Sequence, residues 1–247
     1  ILFCALLASA AGAQTPTAQA TSAIEQIRGE LVQLPYYGVF DVLQYQVSDN
    51  GAVELSGFAF RDSLKKEAEL PVIQMYYHAP NLKSPDSFAL DLLSVVLAGG
   101  RSSRLHHELV YKKRLAHEID ADYSAVSVDP TGFSISAQLL PGKDAAQLER
   151  EIDRELEKIK NDLVSDKELQ KAKNQVEAAF VFAQDSIFGQ AMKIGYYEIA
   201  GGWRQMESYL DGIRKVTRDD IRRVAKQYLE RDRRTVGVLI PTKEKPQ

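Results

Sequence analysis

From Leu70 to about residue 243, strand-like and helix-like segments follow one another in an order that few folds accommodate. A β-rich run ending at Pro80 is followed by two helical segments, two alternating segments, several long amphipathic segments and the closing run RTVGVLIP. Alternating apolar and polar residues indicate strands, whereas apolar residues recurring every three or four positions indicate helices. This order predicts an α+β domain over residues 70–247, in which helices cover one face of a mainly antiparallel sheet.

Local signals predict where the first two helices of this domain begin and end. Ser84-Pro85 supplies a cap residue followed by a proline suited to the first helical turn. Gly99-Gly100 is a stop signal, since glycine favours the backbone conformation that ends a helix. We expect a second α-helix to run from Ser102 or Ser103 to about Leu115.

Later segments carry boundary signals of their own. The runs EIDADYSAVSV and GFSISAQLL flank a turn at residues 129–132 and are predicted to form a hairpin. Ser165 and Glu168 have the spacing of a capping box, and Thr217 is the predicted cap of a later helix. The helix before Ser165 is predicted from a stripe of apolar residues at helical spacing: Leu148, Ile152, Leu156 and Ile159.

Residues 1–22 have the composition of a truncated signal peptide followed by a polar linker. A short apolar block ends in Ala11-Gly12-Ala13, and it is shorter than the roughly 20 residues that a membrane span requires. Cleavage after about Ala13 would remove Cys4, the single cysteine. We therefore expect export to the periplasm or cell envelope of a bacterium, with a short buried helix or a membrane anchor as the alternative.

Residues 23–69 are predicted to form a small α-β-β-α module, with the hairpin turn at Asp49-Asn50-Gly51. The pieces LPYYGVFDVLQYQV, GAVELSGF and LKKEAE resemble the start of a BON domain, a bacterial envelope module. That resemblance implies association with a surface or with phospholipid. A complete module of this kind would continue with another apolar strand, but the pattern changes near Glu69, so the BON-like module is incomplete.

The charge balance excludes one class of partner. Lysine and arginine number 31, aspartate and glutamate 34, and the formal net charge is −3. Nucleic acids attract proteins through a positive surface, which this composition does not provide in bulk. We therefore expect no nucleic-acid partner, and any membrane contact would have to be local, through the BON-like module.

The domain over residues 70–243 resembles the C-terminal, non-catalytic half of the insulinase/pitrilysin-like zinc peptidases. The likeness lies in LPVIQMYYHAP, ALDLLSVVLAGGRSSRL and LVYKKRLA. It implies that two homologous halves close around a peptide and that zinc belongs to the other half. The implied partners are a zinc-bearing half or homologous chain and a peptide substrate, and no cofactor is expected in this chain.

The histidine-rich stretch LAGGRSSRLHHELVYKKRLAHE tests this expectation directly. A zinc site on an α-helix needs two histidines four residues apart with a glutamate beside one of them, and the family's order is H-x-x-E-H. His106 and His107 are sequence neighbours, and His117 lies ten residues beyond His107. No histidine pair has the required spacing, so we predict no catalytic or metal-binding residue here and expect solvated or capping histidines.

The resemblance also implies a candidate peptide contact. In the family, the second half can contribute an arginine and, seven residues later, a tyrosine that contact the bound peptide. Matched through KKRLAH, these positions fall on Val110 and His117. Valine cannot donate the charged hydrogen bond, whereas His117 can still donate one, so His117 is the one residue predicted to contact peptide.

Two further features decide which functions remain open. The sequence has no G-x-S-x-G motif for a serine hydrolase and no glycine-rich turn for a dinucleotide. A dense group of aromatic residues is predicted to belong mainly to the core, with a surface for a partner half as the alternative. Its members are Phe180, Phe182, Phe188, Tyr196, Tyr197 and Trp203.

We therefore expect the non-catalytic half of an insulinase/pitrilysin-like metallopeptidase that helps enclose peptides with a zinc-bearing partner and is inactive alone. The alternative is an envelope surface- or phospholipid-binding module whose peptidase-like domain is an inert scaffold.

Overall fold

The computed structural model describes residues 42–47, 53–58 and 70–240. The first two ranges are strands β1 (Val42–Val47) and β2 (Val53–Phe58), which pair antiparallel with Val42 opposite Phe58 and Val47 opposite Val53. This confirms the predicted hairpin. The predicted signal peptide and the two helices predicted on either side of the hairpin lie outside the described residues.

A separate compact unit spans Leu70–Ile240 and contains a four-stranded sheet. Its strands are β3 (Val72–Ala79), β4 (Ala116–Tyr123), β5 (Thr131–Leu139) and β6 (Arg234–Leu239). They lie in the order β4-β5-β3-β6, and every neighbouring pair is antiparallel. The predicted α+β class is therefore confirmed.

The two faces of this sheet differ in polarity. Along β3 the buried residues Ile73, Met75 and Tyr77 alternate with residues that are exposed. β5 repeats the pattern, because Phe133, Ile135, Ala137 and Leu139 are all buried. Side chains of successive strand residues point to opposite faces, so a single face of the sheet carries the core.

Helix α1 (Asp86–Ala98) is the centre of the helical layer. It packs against β4, and its buried residues include Leu90, Leu93 and Leu97. Its sequence, DSFALDLLSVVLA, is apolar nearly all round, which is typical of a helix enclosed on several sides. The helix begins at Asp86, directly after the predicted Ser84-Pro85, and the Asp86 N–H donates to Ser84 Oγ over 3.2 Å. The cap residue is Pro85 instead of the predicted Ser84, and Gly99 ends the helix as predicted.

Helix α2 (Ala145–Asn161) packs beside the sheet through the apolar stripe that the sequence predicts. Leu148, Ile152, Leu156 and Ile159 are buried in the core. The Asp144 carboxylate accepts hydrogen bonds from the N–H groups of Ala146 and Gln147, which caps the first turn.

The other helices complete the layer. They are α3 (Asp166–Phe182), α4 (Ile187–Ala200), α5 (Arg204–Glu207), α6 (Tyr209–Lys215), α7 (Arg218–Tyr228) and a 3-10 turn, Arg231–Arg233. The capping box of Ser165 with Glu168 is present, and Thr217 caps α7 together with Asp220. Within the described residues, every helix is too short or too polar to cross a bilayer.

Candidate functional site

The histidine-rich segment forms a π-helix, His106–Lys112, instead of the α-helix predicted to reach about Leu115. The Lys113 N–H donates to the Glu108 carbonyl over 2.9 Å, a bond that spans five residues where an α-helix spans four. Arg114 ends the segment with a φ of 50°, in the left-handed region, and β4 begins at Ala116. The predicted helix was therefore wrong in its winding and in its C-terminal end.

The histidines do not converge. His107 is exposed, stacks on Tyr111 with ring centroids 6.0 Å apart, and places Nδ1 3.6 Å from a Glu108 carboxylate oxygen. His78 is exposed on β3. His106 departs from the predicted solvated state, because its Nδ1 is buried and has no hydrogen-bond partner among the described residues. Within the ranges that the structure describes, no three His, Cys, Asp or Glu side chains are grouped to hold a metal ion.

His117 lies on β4, which is an edge strand of the described sheet. The pairing of β4 with β5 is irregular between Ala116 and Glu118, so His117 occupies a β-bulge and its side chain is exposed. Bulges re-aim a side chain and are common near functional sites. Val110, the other position carried over from the resemblance, is half-buried and packs against the core. The peptide contact of His117 stays a prediction.

A cavity of about 860 Å³ lies among α1, α3, α4 and α6, beside the segment that follows β4. Its volume falls within the range of about 300–1,000 Å³ that is usual for small-ligand sites. Most of its larger lining side chains are aromatic, and one carboxylate lies among them. The lining includes Phe88, Asp91, Tyr123, Phe180, Tyr197 and Tyr209.

The aromatic rings of the cavity pack on one another. The Phe180 and Tyr209 rings stack with centroids 5.2 Å apart, and Phe88 lies 6.2 Å from Tyr209. A β-carbon on Gly212 would lie 2.6 Å from the Phe88 ring, so α6 approaches this ring through a position that has no side chain. Lys193 also lines the cavity, and its Nζ lies 4.2 Å from the Phe180 ring centroid.

Asp91 is the acidic group of the cavity. The Tyr209 hydroxyl donates a hydrogen bond to Asp91 Oδ2, joining α6 to α1. Burial raises the pKa of Asp91, the hydrogen bond from Tyr209 opposes this rise, and the nearby Asp122 carboxylate adds to it. Burial likewise raises the pKa of the Tyr197 hydroxyl to about 12, and the Asp91 carboxylate adds to the rise.

The aromatic group predicted to belong to the core is divided between core and surface. Tyr197 is buried, and Phe180 and Trp203 are half-buried. The prediction was wrong for Phe182, Phe188 and Tyr196, which are 72%, 74% and 58% exposed. The reason for Phe188 and Tyr196 is that α4 buries only Tyr197 and Ala200, so its other faces point away from the core. Phe182 is the last residue of α3, and the buried residues of that helix end at Val176.

A family model described as the Peptidase M16 inactive domain matches residues 15–176. The chain belongs to this family. The match covers the π-helix, both strands of the β4–β5 hairpin, the α1 wall of the cavity and α3 as far as Val176. It also covers residues 23–69, whose BON-like interpretation stays a prediction.

Relatives of this M16 inactive domain are bacterial zinc proteases. The chain is 30% identical over 177 residues to the zinc protease PqqE of Helicobacter pylori, which covers 72% of this chain and 40% of that protein. It is 29% identical over 171 residues to a zinc protease of Streptomyces coelicolor, covering 67% of this chain and 36% of that one. The chain thus spans less than half the length of these curated relatives.

Solved structures match the M16 inactive domain with similar coverage. The inactive peptidase domain from Bordetella parapertussis has a TM-score of 0.67 and 30% identity, covering 75% of this chain and 97% of that one. A Helicobacter pylori protease has a TM-score of 0.66 and 30% identity, covering 72% of this chain and 43% of that chain. The fold and the family therefore agree.

The cavity is the feature that sequence reasoning missed. Asp91 and Tyr209 are in contact although they lie 118 residues apart in the sequence. No periodic pattern of residues indicates a contact over such a separation. One signal was present, because Asp91 is a lone charged residue in the middle of an otherwise apolar helix. Charged residues are rarely buried without a partner, so such a position calls for one.

Proposed function

We propose that this M16 inactive domain is the non-catalytic half of a peptidase that encloses peptides together with a zinc-bearing domain or chain. The observation that carries the proposal is the family match over residues 15–176, in a sequence that contains no H-x-x-E-H. The zinc protease names of the relatives support a peptidase context. The separation of the histidines agrees with a peptidase half that takes no direct part in peptide cleavage.

The edge strand β4 supports contact with an extended peptide. Within the described sheet, β4 pairs with β5 alone, which leaves its other edge without a strand from residues 70–240. Extended peptides bind such edges by adding a strand, with main-chain hydrogen bonds supplying affinity. His117 lies at the start of this edge and is exposed, so it can donate a hydrogen bond to a peptide carbonyl.

The test is reconstitution with a chain that carries H-x-x-E-H. Cleavage of an internally quenched fluorescent peptide and zinc content are measured for this chain, for the zinc-bearing chain, and for both together. We expect little zinc and no chelator-sensitive cleavage from this chain alone, and faster cleavage from the pair than from the zinc-bearing chain. Stoichiometric zinc with chelator-sensitive cleavage by the single chain would contradict the proposal.

A substitution can separate a peptide contact from a structural role. In the reconstituted pair, His117→Ala is expected to raise KM for the peptide, because the lost hydrogen bond serves binding. His107→Ala is the matched control, since this histidine is also exposed but lies on the π-helix. If the two variants have the same KM, His117 does not contact the peptide.

We also propose that the chain is exported and acts in the cell envelope. The support is the composition of residues 1–22 and the BON-like pattern of residues 23–69, of which the hairpin β1–β2 is the described part. Fractionation of cells that express the full reading frame tests export, and co-sedimentation of the full chain with phospholipid vesicles tests surface binding. Recovery in the cytoplasm with an intact N-terminus would contradict export.

A further inference from the structure

We infer that the cavity beside Asp91 accepts a positively charged peptide side chain, so that a peptide with lysine or arginine is held by this half. The inference deepens the proposed function, on which it rests for the choice of a peptide as ligand. It requires three properties of the cavity: a carboxylate that lacks a cation, walls that favour cations, and an opening to solvent.

The carboxylate of Asp91 has no cationic partner within residues 70–240. None of the ion pairs in this range includes Asp91, and its hydrogen-bond partner is the neutral hydroxyl of Tyr209. An anion in an apolar surrounding is costly unless a counter-charge compensates it. The raised pKa of Asp91 reflects this cost, and a bound cation would reduce it.

The walls of the cavity favour cations because aromatic faces carry negative electrostatic potential. Phe88, Phe180 and Tyr209 form a continuous aromatic wall, and Tyr209 also holds Asp91. Lys193 lines the same cavity, and its Nζ lies 4.2 Å from the Phe180 centroid without an ion-pair partner in the described residues, so a cation already contacts this wall beside Asp91. Burial lowers the pKa of Lys193.

The cavity is open at the side of α4. Met192 and Tyr196 belong to the lining and are 41% and 58% exposed, so they form its rim. Tyr197, in contrast, is 8% exposed and lies deeper. A long flexible side chain with an apolar stem and a charged end matches this gradient, because its stem can contact the aromatic rings while its end reaches Asp91.

The experiment compares two probes that differ in charge alone. Nα-benzoyl-arginine amide and Nα-benzoyl-citrulline amide have the same size, but citrulline is neutral. Binding to the full chain is measured by titration calorimetry or by NMR shift changes, without any zinc-bearing partner. Because a hydrogen bond to a charged group is worth more than a neutral one, we expect the arginine probe to bind about tenfold tighter or more.

Asp91→Asn removes the charge and keeps an oxygen that can accept the Tyr209 hydrogen bond. We expect this variant to bind the arginine probe as weakly as the citrulline probe. Asp122→Asn is the matched control, because Asp122 lies near Asp91 but is exposed and does not line the cavity. Like the unaltered chain, Asp122→Asn is expected to bind the arginine probe more tightly than the citrulline probe.

A second variant covers the case in which Asp91→Asn does not fold. Tyr196→Ala changes an exposed rim residue. We expect it to lower the affinity for the arginine probe severalfold and to leave the melting temperature unchanged. Equal affinities of the two probes for the unaltered chain would overturn the inference, as would discrimination that persists in Asp91→Asn. Since no partner is present, these outcomes are independent of reconstitution, and each proposal can fail without the other.

Discussion

Arg104 and Glu168 form a two-point ion pair that joins the start of the π-helical segment to the first turn of α3. Arg104 Nε lies 2.8 Å from Glu168 Oε1, and Nη2 lies 3.1 Å from Oε2. The same glutamate accepts the Ser165 N–H over 2.9 Å and so completes the capping box. One side chain therefore fixes both a helix end and the position of the histidine-rich segment relative to it.

This arrangement predicts a pH-dependent contribution to stability. The Arg104 hydrogen bond, followed by those from Ser165, lowers the pKa of Glu168 to about 2 from its ordinary 4.5. A carboxyl group whose pKa is lower in the folded state stabilises the fold above its unfolded pKa. That contribution is lost as the pH falls from about 4.5 toward 2.

Glu168→Gln should therefore reduce the free energy of unfolding at pH 7 by about 1 kcal/mol, since Glu168 is partly exposed and solvent screens the pair. The difference from the unaltered chain should shrink toward pH 2. Urea unfolding at both pH values measures it. Glu118→Gln, which changes an exposed residue of β4, should have little effect at either pH. A difference independent of pH would show that the ion pair contributes nothing.

A larger effect is expected at Arg234, because its side chain is only 4% exposed at the start of β6. It donates to the Tyr77 hydroxyl over 3.3 Å and also binds Asp153 and Glu149 of α2. Arg234→Met leaves two carboxylates and a buried hydroxyl without their shared donor, so we expect a loss of about 3 kcal/mol. Arg234→Lys keeps the charge but not the planar fork and should lose less.

The measurement for Arg234 is the free energy of unfolding from denaturant titration. If Arg234→Met is as stable as the unaltered chain, the two carboxylates have regained enough water at the edge of α2 to replace the arginine.

The central position of α1 gives a third prediction. Leu93 is 0% exposed, and Leu93→Ala should destabilise the fold by about 2–5 kcal/mol, because it removes buried methyl groups and leaves a cavity. Ile187→Ala is the matched control on α4, where the side chain is 86% exposed, and it should change stability by about 0.5 kcal/mol or less. Thermal unfolding of both variants distinguishes them. A large effect of the control would indicate that α4 is covered in solution.

The features that could be predicted from the sequence are those formed by residues close to one another in the chain. The capping box at Ser165, the cap at Thr217 and the stripe of α2 depend on contacts within four residues, and the structure confirms them. The π-helix could not be predicted, because its winding serves distant packing. Leu105 and Leu109 are both fully buried while Arg104 reaches Glu168, 64 residues away.

The same reasoning explains the errors in the aromatic group. Burial of Phe182, Phe188 and Tyr196 was predicted from composition, yet composition does not say which sides of α3 and α4 meet the core. The cavity is formed by α1, α3, α4 and α6, so Asp91 and Tyr209 become neighbours only when the tertiary fold is complete. The π-helix and the cavity are thus set by long-range contacts.

The last prediction compares two helical glycines with different surroundings. A β-carbon on Gly195 of α4 would have no atom within 4 Å, so Gly195→Ala should stabilise the fold by about 0.5–1 kcal/mol through helix propensity. A β-carbon on Gly212 of α6 would lie 2.6 Å from the Phe88 ring. Gly212→Ala should therefore destabilise it by about 1–3 kcal/mol, because the ring must move. Melting temperatures should shift in opposite directions. A stabilising Gly212→Ala would mean that Phe88 moves freely and that the aromatic wall is not rigid.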